Sequence, residues 1–306
     1  MTHCGRWPYS LLVTGIVVAI ATGSLAIHAQ RPADDDLEGI WNYATMTPLE
    51  RPRDLAATPT LTPAEAADYE RRTIERQSAT NNTAGPDWWD PGTRFLTNGR
   101  TSLIVDPPDG RVPALTADAQ QRAAARTQAR RSRGPADGPE DRALNERCLN
   151  WTVAGPPMLP GVYNNNVQII QTRSYVTLVS EMIHDARIVP MDGRPHGTVP
   201  RWMGDSRGHW DGHTLVVDTS GFTDKTAFRG SGEQLHLIER FTRIDSETIE
   251  YRFTAEDPST WTRPFTVMFP LKKSAGPIYE YACHEGNERS MIGMLRGARV
   301  QEKPDD

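Results

Sequence analysis

Gly208-His209-Trp210-Asp211-Gly212-His213-Thr214-Leu215-Val216-Val217-Asp218-Thr219 sets two β-rich runs on either side of Asp211-Gly212. An Asp-Gly pair tolerates the positive φ angles of a two-residue hairpin turn, so the stretch reads as a β-hairpin. The same pattern continues outward. Downstream, Leu235–Ile244 and Thr248–Ala255 flank Asp245-Ser246, and Phe265–Leu271 pairs with Ile278–Cys283 as a third hairpin. Upstream, Val167–Gln171 and Tyr175–Met182 are joined by a short turn, and Ala186–Pro190 ends at Asp192-Gly193. Short strands at near-regular spacing with few helices between them predict an antiparallel meander. Closure removes the exposed edges of such a sheet. The expected fold is mainly β: an antiparallel lipocalin-like β-barrel with two peripheral helices, or alternatively a β-sandwich.

Residues 147–306 carry the barrel core in this reading, and residues 30–146 supply N-terminal strands and the two helices packed on it. Gly39-Ile40-Trp41 opens an extended stretch. A Gly-x-Trp on the first strand is how lipocalin-like barrels often begin, with the Trp closing the floor. Thr62-Pro63-Ala64-Glu65 joins an N-cap, a proline at the first helical position and a glutamate three residues after the cap, predicting a helix to about Gln77. Thr116 caps a second helix, from about Ala117 to Arg131. Between them, Thr101–Val105 reads as a strand and Pro107-Pro108-Asp109-Gly110 as a turn.

Residues 1–29 have the order of a secretion signal. A short polar start carries Arg6, Leu11–Ile27 is apolar and uncharged, and Ile27-His28-Ala29 offers a cleavage site after Ala29. The mature protein is therefore expected in the periplasm or outside the cell, with no stable membrane insertion once the signal is removed. Cys4 leaves with the signal. Cys148 and Cys283 remain as a pair, which an oxidising compartment turns into a disulfide. The net charge of −5 is mildly acidic and well mixed, against nucleic acid as a partner. Serine-hydrolase elbows, nucleotide loops and EF-hand loops are absent from the sequence.

Ionisable residues gather at strand ends beside glycines, where a rigid sheet can position a site. His184, Asp185 and Arg187 end one strand, with Glu181 just before them; Asp192 to His196 forms the next turn. Asp205 and Arg207 lie in a Gly-flanked loop, and Tyr281, Cys283, His284 and Glu285 close the last expected strand. Imidazole beside carboxylate suits proton transfer, so the candidate catalytic set is His184, Asp185, Arg187, Asp205, Arg207, His284 and Glu285. Each Arg–Asp neighbour pair (185 with 187, 192 with 194, 205 with 207) reads equally as a structural ion pair that pins a loop. His196, Trp202, Trp210 and Tyr281 are candidate ligand contacts; Trp88, Trp89, Trp151 and Trp261 are further aromatics that suit a pocket or a barrel plug. No metal or cofactor is expected, because no two of the candidate histidines show ligand spacing on one element.

Glu181–Arg187 (EMIHDAR), Asp192–His196 (DGRPH), Gly204–Gly208 (GDSRG) with Trp210, Thr214–Thr219 (TLVVDT) and Tyr281–Asn287 (YACHEGN) occur in one order. In these motifs the chain resembles a large, uncharacterised family of exported bacterial proteins. The resemblance implies export and carries no activity. His209 and His213 depart from the family pattern, which has Arg or Lys and Asp there, so they are poor candidates for a shared ligand set. The function expected is an exported barrel that binds a small apolar or aromatic molecule in a polar-rimmed pocket. The alternative is a His/carboxylate-dependent hydrolase or lyase/isomerase acting in the same pocket.

Overall fold

A computed structural model describes residues 36–80, 92, 94–134, 136–225 and 228–301. The expected secretion signal and Trp88-Trp89 lie outside the described residues. The fold is a nearly closed antiparallel β-barrel. Its strands are β1 (Gly39–Asn42), β2 (Ile104–Asp106), β3 (Asn166–Gln171), β4 (Tyr175–Ser180), β5 (Ala186–Pro190), β6 (Asp205–Asp211), β7 (Thr214–Ser220), β8 (His236–Asp245), β9 (Thr248–Glu256) and β10 (Phe265–Lys273). The order around the barrel is β5-β4-β3-β1-β10-β9-β8-β7-β6, with β2 added beside β10. The helices are α1 (Pro63–Thr80), α2 (Ala117–Arg131) and α3 (Gly293–Gln301).

The hairpins at Asp211-Gly212 and Asp245-Ser246 form as the sequence predicts. Both helix caps form too. Thr62 Oγ1 accepts from Glu65 N at 3.3 Å, and Glu65 Oε2 accepts from Thr62 N at 2.8 Å, closing a capping box. Thr116 Oγ1 accepts from Ala119 N at 3.1 Å. The third expected hairpin does not form. Residues 278–283 are irregular, because β10 already has β9 on one edge and β1 and β2 on the other. That leaves the 278–287 segment to lie across the barrel end as a strap.

Nine strands in an antiparallel path place the two terminal strands, β5 and β6, in the same direction. They meet through side chains. A Cβ on Gly208 would stand 2.4 Å from Met191 Sδ and 2.8 Å from Val189 Cγ1, so only glycine lets β5 pack this closely on β6. The barrel end that carries Asn166, Ser180, Ala186 and Asp205 is called the upper end below.

Alternation along each strand fills the interior. Trp41, Val167, Ile169, Val176, Leu178, Val189, Leu215, Val217, Leu237, Phe241, Ile249, Tyr251, Phe253, Phe265, Val267, Phe269 and Leu271 all belong to one buried cluster. At the lower end Trp41 is fully buried, its Nε1 donates to Leu37 O at 2.9 Å, and the Arg243 guanidinium lies 5.6 Å from its ring centroid. At the upper end the segment before β3 packs inward: Tyr43 Oη donates to Val153 O at 2.9 Å, and Met158 N donates to Tyr251 Oη at 3.2 Å. The barrel interior is therefore occupied by the chain's own side chains. Space for a ligand lies at the barrel's end and on its wall.

Candidate functional site

Among the inward side chains, three form a connected polar trio. Arg187 on β5 forms a two-pronged ion pair with Glu239 on β8: Nη1 reaches Oε2, and Nη2 donates to Oε1 at 2.9 Å. Tyr251 Oη on β9 donates to the same Oε1 at 2.7 Å. Glu239 has no solvent exposure at all. Burial alone lowers the Arg187 pKa, but the facing carboxylate outweighs it and holds the guanidinium above its ordinary value. Burial, then Glu239, pushes the Tyr251 phenol well above its usual range. The trio is thus a fixed, charged brace across the barrel. It corrects one sequence reading, since Arg187 takes Glu239 as its partner rather than Asp185. The other two local pairs do form: Arg194 Nε donates to Asp192 at 2.8 Å, and Arg207 Nη2 lies 2.7 Å from Asp205 Oδ2.

The 181–185 link between β4 and β5 sits at the upper end. Glu181 is buried and structural. Its N–H donates to Asn166 O at 2.9 Å, its Oε2 accepts from Asn166 Nδ2 at 2.6 Å, and its Oε1 accepts from Tyr279 N at 3.0 Å. Ile183 (φ 62°) and His184 (φ 47°) then stand consecutively in the left-handed region. For a β-branched residue this is strained, on the order of 1–3 kcal/mol, and such strain collects at functional sites. The exposed His184 donates from Nδ1 to Tyr281 O at 2.9 Å. Asp185 follows, half-buried. Burial raises its pKa and Arg187 opposes the rise only in part, so the carboxyl sits above its ordinary value.

The strap lies over this link. Cys148 and Cys283 form the expected disulfide, with Cα atoms 5.9 Å apart. Tyr281 stacks on Tyr163 at 6.4 Å between ring centroids, and Trp151 meets both rings edge-on. Asn287 Nδ2 donates to Glu146 O at 2.7 Å and to Cys283 O at 2.8 Å. His284 and Glu285 are exposed on the turn that follows the disulfide, and Glu285 N closes it on Ala282 O. They share the upper end with His184 through Tyr281.

Asp205 and Arg207 do not lie in a loop. They belong to β6 and face outward, since Ser206, Gly208 and Trp210 take the inward positions. Asp205 is 3% exposed and accepts from Gly197 N at 2.6 Å, Arg201 Nη1 at 3.2 Å and Arg207 Nη1 at 2.8 Å. Burial alone raises its pKa; the Gly197 N–H and Arg207 outweigh it and hold the carboxyl below its ordinary value. His196 and His236 both place Nε2 on Asp218 Oδ1, at 3.1 and 3.0 Å. Asp218 accepts from both, so each Nε2 carries a hydrogen. His196 Nδ1 is buried without a partner, 3.8 Å from Asp205 Oδ2. The Arg147 guanidinium, 5.9 Å from the Trp202 ring centroid, ties this wall network to the segment bearing Cys148.

The candidate residues thus divide. His184, Asp185, Tyr281, Cys148, Cys283, His284 and Glu285 gather at the upper mouth. Asp205, Arg207 and His196 form a wall network beside it, with Trp202 on the seam. Arg187 turns into the interior, where Trp210 also packs. Among the described residues, no group of three His, Cys, Asp or Glu is placed to hold a metal ion.

Two small cavities open at the mouth. One, about 200 Å³, is lined by Cys148, Leu149, Trp151, Ile183, His184 and Asp185, together with Asn150 and Ala154. The other, about 290 Å³, includes Leu144, Thr152, Pro156, Pro157 and Phe228 and shares Asn150 and Trp151 with the first. Asn150 Oδ1 is buried with no hydrogen-bond partner. A buried acceptor left open in this way is costly, and it marks a place that a donor group would fill.

Sequence reading missed Glu239, Tyr251, Asn150, Asp218 and His236 as partners. Glu239 had a signal: it stands between Leu237 and Phe241 at the apolar period of β8. A charge at an inward position requires a buried counter-charge. Asn150 had none, because its segment has no regular structure from which to read direction. Comparison of the chain with family models, with curated proteins and with solved structures finds no match in any of the three.

Proposed function

We propose that the mature chain is an exported binding protein that holds a small aromatic or apolar molecule with a hydrogen-bond donor at the upper mouth of the barrel. The observation that carries this reading is two adjoining cavities, one mixed and one mainly apolar, that share a buried acceptor without a hydrogen-bond partner, Asn150 Oδ1, beside the half-buried Asp185 carboxyl. Trp151, Ile183, Leu149 and Phe228 offer faces to a ring, while Asn150 Oδ1 and the Asp185 carboxyl offer hydrogen-bonding ends. Ligand pockets are mainly apolar with a few placed polar groups, at roughly 300–1,000 Å³ for drug-sized molecules. Cavities of about 200 and 290 Å³ therefore suit a one-ring compound such as a phenol or an aromatic amine. Export through the 1–29 signal agrees with the disulfide, and no helix among the described residues is long and apolar enough to cross a membrane.

The enzyme reading draws on the same place. Backbone strain at Ile183 and His184 beside a carboxyl with a raised pKa is a pattern found at sites of proton transfer. Against it, the histidines do not converge on one cavity. His184 Nδ1 is engaged by a carbonyl, His196 is held on Asp218, and His284 faces solvent. Binding is the better account of an arrangement in which the one histidine lining the Asp185 cavity, His184, already spends Nδ1 on a backbone carbonyl.

Tryptophan fluorescence titrated with phenol and aniline derivatives tests the proposal. Saturable quenching is expected in the wild type. It should fall by most of its amplitude in Trp151→Phe and weaken about tenfold in Asp185→Ala, the loss of one hydrogen bond to a charged or polarised group. Equal quenching in all three proteins would place the ligand elsewhere.

A further inference from the structure

A larger cavity lies away from the mouth. It is about 550 Å³, on the outer wall near the lower end, between β9, β10 and the segment from Arg94 to Arg100. Phe95, Leu96, Ile244, Met268 and Pro270 give it an apolar lining. Its polar side is rich in cations. Arg94, Arg100 and Lys272 line it, and Arg252 stands next to it, paired with Glu250 at 3.3 Å. Three cations therefore line the cavity with two acids, Asp245 and Glu250, and Glu250 is taken up by Arg252 outside the lining. Asp245 already accepts from Glu247 N at 2.8 Å, and Lys272 donates to Thr248 Oγ1 at 2.8 Å.

Arg100 is the unusual member. Its Nη2 donates to Met268 O at 2.6 Å, while its Nε and Nη1 are buried with no partner. A guanidinium normally finds a carboxylate when it leaves water. Here it has only a backbone carbonyl, and burial lowers its pKa, opposed in part by Glu250. Glu250, the acid whose charge reaches Arg100, is already paired with Arg252, and an anion in the cavity would add a counter-charge.

We propose that this wall cavity is a second ligand site, separate from the mouth, and that it takes a small amphiphile with one carboxylate on an apolar body. The carboxylate lies toward Arg94, Arg100 and Lys272, and the apolar body lies along Phe95, Leu96 and Met268. The volume falls inside the range for small-molecule pockets. The mixed lining separates this ligand from a bare inorganic anion, which would gain nothing from the apolar side.

Isothermal titration of the mature protein at low ionic strength with octanoate, benzoate and inorganic phosphate decides the matter. The expected result is saturable binding of octanoate or benzoate, weakened at least about tenfold in Arg100→Gln and in Arg94→Gln, as for the loss of a charge-assisted hydrogen bond. Arg94 is exposed, so its replacement leaves the fold intact even where Arg100→Gln destabilises it. Asp185→Asn should leave this binding unchanged, which separates it from the mouth. The proposal is overturned by no saturable binding of either carboxylate up to about 10 mM. It is equally overturned by binding that both arginine variants retain, or by phosphate binding as tightly as the carboxylates.

Discussion

Replacing Glu239 with glutamine removes one negative charge from a fully buried position and leaves its shape. Arg187 then keeps a full positive charge inside the barrel with only a neutral amide opposite, and the Tyr251 hydroxyl keeps an acceptor. Breaking a buried ion pair from one side costs about 3–5 kcal/mol, most of it the uncompensated charge left behind. A domain of this size loses about 2–4 °C of Tm per kcal/mol, so Glu239→Gln should melt roughly 10 °C below the wild type. The double change Arg187→Met with Glu239→Leu removes both charges. It should recover more than half of that loss, because apolar replacement of a whole buried pair is often neutral or stabilising. Circular dichroism melts of the disulfide-intact protein measure both. A Tm for Glu239→Gln within about 1 °C of the wild type would refute the reasoning, since a brace worth several kcal/mol cannot be removed at that cost.

Two further outcomes follow from the mouth. Asp185 has a folded pKa above its ordinary 3.8, so its contribution to stability is fully present below that value and is lost as pH rises through the folded pKa. Asp185→Asn should therefore raise Tm relative to the wild type near neutral pH and leave it unchanged near pH 3, read from melts across a pH series. An equal shift at both ends would show that the side chain acts by shape alone. The disulfide closes a loop of 135 residues, worth about 5 kcal/mol on a chain-entropy argument. Its reduction should lower Tm on the order of 10 °C and free the strap, with faster amide exchange at residues 279–287. Unchanged exchange there would mean that Glu181 and Asn287 hold the strap without it.

Much of the barrel was legible because its rules are local. Asp211-Gly212 and Asp245-Ser246 fix hairpins by turn chemistry, Thr62 and Thr116 fix helix starts by capping, and Gly39–Trp41 announces β1. The failures were non-local. Residues 278–283 alternate like a strand, but no edge of β10 is free to receive them, and edge occupancy is a property of the whole sheet. Asp205 and Arg207 look like loop residues beside Gly204, yet they extend β6, because β7 has enough length to pair them. Arg187 had a carboxylate two residues away, and local spacing favoured Asp185. The strand pleat decided otherwise: it turns Arg187 inward toward Glu239, across a barrel that the sequence alone does not close. The two-cysteine pairing was readable by elimination, while the cavity beside it was not, since Asn150 and Trp151 come from an irregular segment.

The central claim is that the upper mouth holds a small molecule through Asn150 and Asp185. Native mass spectrometry of the protein, purified without denaturation and with its disulfide intact, tests this most directly. The account predicts a discrete adduct with the mass of a one-ring compound, released on gentle activation and absent from an Asp185→Ala, Asn150→Ala protein prepared in parallel. An adduct-free wild type that also shows no saturable quenching with phenols or anilines would contradict it, as would an adduct that the double variant retains in full.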